Sequence, residues 1–318
     1  MQLDAQQLRQ SLPWPELIDA LRRMFTADVT SPIRHHHFID VPDEPQATLL
    51  LMPAWLEGQY LGVKQVAVFP GNNQRGLPGL SSQYTLSCGK TGQPLAQLEG
   101  NELTARRTAA ASALASSYLS RTDCREMLMV GSGRMARQLI PAHCSMRELE
   151  TVWVWDRKLH NAERLVAELQ AEEIPAQLCS PDQLELTVKR VDLISCATMA
   201  TEPLIKGEWL KPGCHLDLVG SFTPTMREVD NLAMQRGEIF VDTRKGALVE
   251  TGELIIPIAE GAITAEDLVA ELSELCGEVH AGRSALSEPD QAITIFKSVG
   301  DSLEDLAAAI LAYEHNRD

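Results

Sequence analysis

Met127 to Ala136 constrains what this chain can fold into more than any other stretch. Apolar residues run directly into Gly131-Ser132-Gly133. A helix-compatible segment, Arg134 to Ala142, follows, and a second apolar run, Thr151 to Trp155, ends at Asp156. Strand, tight glycine turn, helix and second strand make up the layout of a dinucleotide-binding unit, G-x-G-x-x-A with an acidic residue about 20 positions later. The glycines let the backbone approach a pyrophosphate, and the amides and dipole of the helix start hold its charge. Gly131, Ser132, Gly133, Arg134 and Met135 are therefore candidate cofactor-binding residues. Asp156 would accept from a ribose 2′-hydroxyl, which favours NADH. Arg157 and Lys158 follow immediately and could bind a 2′-phosphate, which favours NADPH.

Downstream, Asn161 to Ala171 reads as an amphipathic helix. Val191 to Cys196, His215 to Val219 and Glu238 to Asp242 read as further buried strands. Alternating strands and helices predict a parallel, doubly wound sheet with ligands at the strand C-terminal ends. Thr198, Gly220 and Ser221 fall at such ends and are cofactor or substrate candidates by position. Ala265 to Gly277 and Leu303 to Glu314 have helical periodicity.

Upstream, Trp14 to Phe25 is helical, and Thr48 to Trp55 with Tyr60 to Phe69, then Ser82 to Cys88 with Pro94 to Leu98, read as two hairpins. Adjacent antiparallel strands predict a separate sheet domain. Lys64 sits inside one of these strands, where a lysine ordinarily faces solvent. His35-His36-His37 cannot converge on one metal, because neighbours on a strand point to opposite faces. Leu103 to Leu119 is an Ala-rich helix with Arg106 and Arg107 near its start, either a surface pair or an anion clamp.

The chain has 318 residues, room for about two domains, and a formal net charge of −16, which argues against a nucleic-acid footprint. An anionic substrate would then need a local cluster of cations. No apolar run is long enough to span a bilayer. The start, Met1-Gln2-Leu3-Asp4, lacks the basic and apolar regions of a secretion signal. The seven cysteines include no C-x-x-C pair, so neither a zinc site nor a disulfide framework is expected, and a reducing cytoplasm is the simplest home.

Taken together, several segments resemble the ornithine cyclodeaminase and mu-crystallin family. They are Met52-Pro53, Gly62-Val63-Lys64, Leu103-Thr104 with Arg107-Thr108-Ala109-Ala110, Gly131-Ser132-Gly133, Gly220 to Pro224 with Arg227 to Asp230, and Ile293 to Gly300. The resemblance spans nearly the whole chain. It implies a Rossmann domain (residues 119–290) inserted into an α+β substrate-binding and dimerisation domain (residues 1–118 and 291–318), and a homodimer. It also implies a substrate carboxylate held by Arg34, Lys64 and Arg107, with Met52 and Val299 at the site and Thr198 and Ser298 beside the cofactor. At Phe222 the cyclodeaminase branch carries a catalytic aspartate, and the phenylalanine here can neither exchange a proton nor hold an ammonium group.

The pattern is similar to the ketimine reductase branch, so the expected reaction is NADPH- or NADH-dependent reduction of Δ1-pyrroline-2-carboxylate to L-proline, with Δ1-piperideine-2-carboxylate to L-pipecolate alongside. Lys64 is the candidate catalytic residue. Ornithine cyclodeaminase, alanine dehydrogenase and a non-catalytic, crystallin-like binding protein are the alternatives. Asp301, where relatives often carry an apolar residue, has no role that the sequence explains.

Overall fold

The computed structural model describes residues 1–317. The chain divides into two compact units, Met1–Thr108 with Asp301–Asp318, and Ala109–Gly300.

The first unit starts with β1 (Gln2–Leu3), α1 (Ala5–Ser11) and α2 (Trp14–Thr26). It continues through β2 (Val29–Thr30), β3 (His35–Ile39), β4 (Ala47–Leu56), β5 (Tyr60–Val68), β6 (Leu80–Cys88) and β7 (Pro94–Glu99) into α3 (Gly100–Leu119). The sheet order is β1-β7-β6-β5-β4-β2, with β3 also on β4. Every pairing is antiparallel except β1 with β7. Side chains alternate across a strand, so register decides which residues share a face. Met52, Lys64, Tyr84 and Leu98 stand opposite one another on successive strands, and all four are buried. Lys64 is thus on the inward face, contrary to the ordinary expectation for a strand lysine. Inward burial follows from its even-numbered neighbours Gly62 and Val66, which are buried too. The last helix of the chain packs on β4, β5, β6 and β7, with α2 against it. Its Ala307, Ala308, Ala309 and Ala312 are buried and carry little bulk, so its backbone can lie close to the sheet.

The second unit holds β8 (Glu126–Val130), α4 (Ala136–Cys144), β9 (Thr151–Trp155), α5 (Leu159–Ala171), β10 (Ala176–Leu178), α6 (Leu184–Val188), β11 (Leu193–Cys196), β12 (His215–Leu218), α7 (Asn231–Arg236), β13 (Gly237–Val241), α8 (Arg244–Glu250), α9 (Gly252–Ala259), β14 (Leu268–Glu271), α10 (Leu272–Cys276) and β15 (Ile293–Lys297). The chain closes with α11 (Ser302–Asn316) in the first unit. The eight-stranded sheet has the order β10-β9-β8-β11-β12-β15-β13-β14, parallel throughout. Strand order reverses between β8 and β11, the switch point at which a doubly wound sheet opens its ligand crevice.

Two expectations need correction. Ile293–Lys297 lies between β12 and β13 in the parallel sheet, so residues 293–300 belong to the inserted unit and not to a segment returning at 291. The first boundary falls inside α3, at Thr108 rather than at residue 118. An isolated apolar run does not say which sheet will take it. The expected helix from Ala265 to Gly277 is broken into a short turn, the edge strand β14 and the five-residue α10. Leu268 to Glu271 carries no strand pattern of its own, and pairing along β13 overrides its local preference.

Candidate active site

In the first unit, β5 and α3 each place one cation inside the fold, and α11 supplies the acids that meet them. Lys64 Nζ donates to Asp305 Oδ1 at 2.9 Å and lies 2.8 Å from Oδ2. Arg107 Nε donates to the same Oδ1 at 2.9 Å, and its Nη1 donates to Glu304 Oε2 at 2.6 Å. All four side chains are buried. Burial lowers the Lys64 pKa, Asp305 opposes that effect, and the result is about 8. Burial also works against the Arg107 charge, but Asp305 and Glu304 hold its pKa above the ordinary value. Asp305, although desolvated, is held below the usual carboxylate range by Arg107 and Lys64.

A guanidinium has five N–H donors and an ammonium three. The two acids occupy two of the former and one of the latter, so both cations keep donors for a further carboxylate. Arg34 is half-buried and bears electrostatically on Lys64. Met52 stands across from Lys64 in the β4–β5 register. Arg106 is no anion clamp. Its guanidinium stacks on the Trp14 ring at 4.1 Å and donates to the Leu12 carbonyl at the end of α1.

Sequence reasoning missed Glu304 and Asp305, because an acidic pair in the first turn of a helix reads as dipole compensation. Asp301 now has a role. It is the N-cap of α11, its side chain accepts from the Leu303 amide, and Glu304 Oε1 accepts from the Asp301 amide. One Glu304 oxygen therefore closes the cap while the other holds Arg107.

In the second unit, a cavity at the switch point is lined by Gly131, Ser132, Gly133, Asp156, Arg157 and Thr198 with their neighbours. Gly131 has φ +105°, and a Cβ there would run into the Ala197 carbonyl. A Cβ on Gly133 would meet nothing within 4 Å, so the turn leaves open space where a pyrophosphate needs to approach. These residues fit a dinucleotide. Asp156 also braces the turn. Its Oδ2 accepts from the Ser132 amide and hydroxyl at 3.2 and 2.6 Å, and its Oδ1 accepts from the Lys158 amide at 2.8 Å. Arg134, Arg157 and Lys158 are exposed, and Met135 is half-buried at the start of α4.

Ser221 is placed otherwise than its position suggested. It is fully buried, and its hydroxyl is bonded to the Met226 carbonyl at 2.5 Å and the Thr251 hydroxyl at 2.6 Å. It closes its own loop, and no hydroxyl faces the cavity there.

Three buried carboxylates support the loops at the strand ends. Glu228 Oε1 accepts from the Thr198 amide and hydroxyl, both at 2.7 Å, and Oε2 accepts from the Gly220 amide at 2.8 Å. Glu253 accepts from the amides of Glu228 and Val229, and burial together with the Glu228 charge raises its pKa to about 7. Asp242 accepts from the Val299 and Gly300 amides, both at 2.6 Å, so the 298–300 loop hangs on β13. Ser298 is buried beside it. Lys297, fully buried, is attracted by Glu253, Glu228 and Asp242 and donates to the Leu218 carbonyl at 2.8 Å. The sequence signal for Glu228 was its place in the Arg227 to Asp230 motif, which by itself gave no role.

The model of the ornithine cyclodeaminase/mu-crystallin family matches residues 9–318. The Δ1-pyrroline-2-carboxylate reductase of Paracoccus denitrificans is 37% identical over 299 residues, covering 94% of this chain and 91% of that protein. The solved structure of the Thermococcus litoralis Δ1-pyrroline-2-carboxylate reductase, in complex with NADH and L-proline, is 33% identical with a TM-score of 0.89, covering 99% of this chain and 96% of that one. An archaeal alanine dehydrogenase dimer with bound NAD is 27% identical with a TM-score of 0.87, covering 99% and 95% of the two chains.

Proposed function

Because the chain belongs to the ornithine cyclodeaminase/mu-crystallin family, we propose that it is an oxidoreductase that reduces Δ1-pyrroline-2-carboxylate to L-proline, and the six-membered Δ1-piperideine-2-carboxylate to L-pipecolate. The observation that carries this reading is the buried pair Lys64 and Arg107, which converge on one acid oxygen and keep donors for a second carboxylate.

A bound NADH or NADPH supplies the hydride. Arg107 takes the substrate carboxylate in its planar fork, and Lys64 and Arg34 add charge. Holding the carboxylate fixes the ring, which turns binding into orientation of the C=N bond. Hydride addition at the carbon would leave the C=N electron pair on nitrogen, which would then take a proton. Lys64 is the donor, or holds in place an imine that entered already protonated. Met52, across from Lys64 in the strand register, lines the carboxylate site. Phe222 disfavours the lyase reading, since it offers no carboxylate for an amine.

On the cofactor side, Gly131, Ser132 and Gly133 receive the pyrophosphate and Thr198 the neighbouring part of the dinucleotide. Asp156 faces a ribose hydroxyl, and Arg157 and Lys158 accommodate a 2′-phosphate. Because the Asp156 carboxylate is already hydrogen-bonded to Ser132 and the Lys158 amide, its repulsion of a phosphate is softened and both nucleotides are used.

The protein works as a homodimer in the cytoplasm. The outward face of the first unit's sheet presents Leu51, Pro53, Trp55, Leu61 and Val63, apolar and only partly buried, and β3 exposes Phe38 at 68%. Such a patch suits a second copy. The seven cysteines are free thiols, compatible with a reducing compartment. Among the described residues no helix is long and apolar enough to cross a membrane.

Purified protein offered NADPH or NADH with each cyclic imine should oxidise the nucleotide, and should release no ammonia from ornithine. The same sample should sediment as a dimer. No oxidation with either ring size would defeat the reading, and a monomer that turns over would defeat the dimer alone.

A further inference from the structure

The acid that meets both clamp cations has no part in the reaction as derived above. Asp305 is fully buried on α11, and its Oδ1 is the common acceptor for Lys64 on β5 and Arg107 on α3. An anion in that position takes donors from, and offsets the charge of, the two cations proposed to hold a substrate carboxylate, so its presence needs a reason. The groups that bear on Lys64 supply one. Arg107 and Arg34 repel its charge, burial among Met52, Tyr84 and the inward strand residues penalises it, and Asp305 opposes both. Glu304 is bonded to Arg107, and the buried Tyr84 hydroxyl, whose pKa is raised well above the ordinary value by burial and by Asp305, carries no charge to help.

We propose that Asp305 is a positioning residue of the carboxylate site, aiming Lys64 and Arg107 at one point and keeping Lys64 protonated so that it can bind the substrate anion. The inference deepens the imine-reduction reading and rests on it for the identity of the substrate. Without the Asp305 charge, the remaining influences on Lys64 all favour the neutral amine, so the pKa near 8 falls.

Asp305→Asn tests this through a pH profile. In the parent protein, kcat/KM for the imine and the affinity for L-proline measured by calorimetry both decline as pH rises through about 8. In Asp305→Asn both alkaline limbs should move about one pH unit or more toward acid, since an opposite charge in contact is worth that much. Asp305→Glu, which keeps the charge, should leave the limbs near the parent position while raising KM, because the aim is displaced. NADH binding should be the same in all three.

Limbs that stay in place in Asp305→Asn, or move equally in Asp305→Glu, would overturn the proposal. If Asp305→Asn fails to fold, Arg107→Gln carries the test. Removing a repelling cation and leaving Asp305 to Lys64 alone should move the Lys64 titration, followed by NMR of isotope-labelled lysine in the protein without L-proline, above the parent's, and a titration that stays or falls overturns the proposal. L-proline binding with the expected pH dependence but without imine turnover would remove the reductase reading and leave this one standing.

Discussion

Arg107→Ala is expected to lower kcat/KM for the imine by roughly 10²–10⁴-fold while leaving NADH affinity unchanged. Truncating one partner of a buried, hydrogen-bonded charge pair costs about 2–5 kcal/mol. Here the lost group also holds the substrate carboxylate in the proposed mechanism. The residues proposed to bind the nucleotide belong to the other unit, so NADH affinity is an internal control.

The same substitution should destabilise the first unit by about 3–5 kcal/mol near neutral pH, because Glu304 loses its buried counter-ion and Asp305 loses one of its two. The sign with pH follows from linkage. In the parent, Asp305 has a depressed pKa, so its contribution is present above the unfolded value and is lost as pH falls through the folded one. In the variant, Glu304, left buried without its cation, has a raised pKa, so the deficit is small at acid pH and grows as pH rises through that value. Urea midpoints at two pH values, with NADH quenching and steady-state kinetics, check all three statements. Parent-like stability and turnover in Arg107→Ala would remove this residue from the site.

The second large effect is expected at Glu228. Its two oxygens accept from three donors on the loops after β11 and β12. Glutamine offers one acceptor oxygen and one NH2 group, so Glu228→Gln must set a donor against either the Thr198 or the Gly220 amide. An unsatisfied buried donor costs about 1–3 kcal/mol, and NADH affinity should fall roughly 5- to 150-fold.

A second readout distinguishes loss of this charge from general loosening. Glu253 titrates near 7, against an ordinary 4.5, through burial and the Glu228 charge. Its raised pKa stabilises the fold below the ordinary value, and that contribution is lost as pH rises through about 7. With Glu228 neutral, the window should narrow from its upper end. Calorimetric unfolding across this range measures it. Unchanged NADH affinity in Glu228→Gln would show that the loops do not depend on this carboxylate.

Most of the nucleotide-binding unit was legible in the sequence because its signals are local. An apolar run into Gly131-Ser132-Gly133 and an acid at Asp156 are short-range requirements of one strand–turn–helix–strand segment. The strand Ile293–Lys297 was visible as an apolar run, but its partners, β12 and β13, lie far from it in sequence and only pairing assigns it to a sheet. Leu268 to Glu271 was invisible as a strand for a related reason, being an edge segment recruited by the register of its neighbour.

The chain by itself determined the dinucleotide turn, the family resemblance, the candidate cations Arg34, Lys64 and Arg107, and the lack of a carboxylate at Phe222. Each is a matter of residue type within a short motif. The tertiary structure decided that Lys64 faces inward, that one oxygen of Asp305, 241 positions from Lys64 and 198 from Arg107, receives both cations, and that Glu228 ties the Thr198 and Gly220 loops together. Charge pairing in a buried space depends on which side chains the fold brings within about 3 Å, and no local pattern encodes that distance.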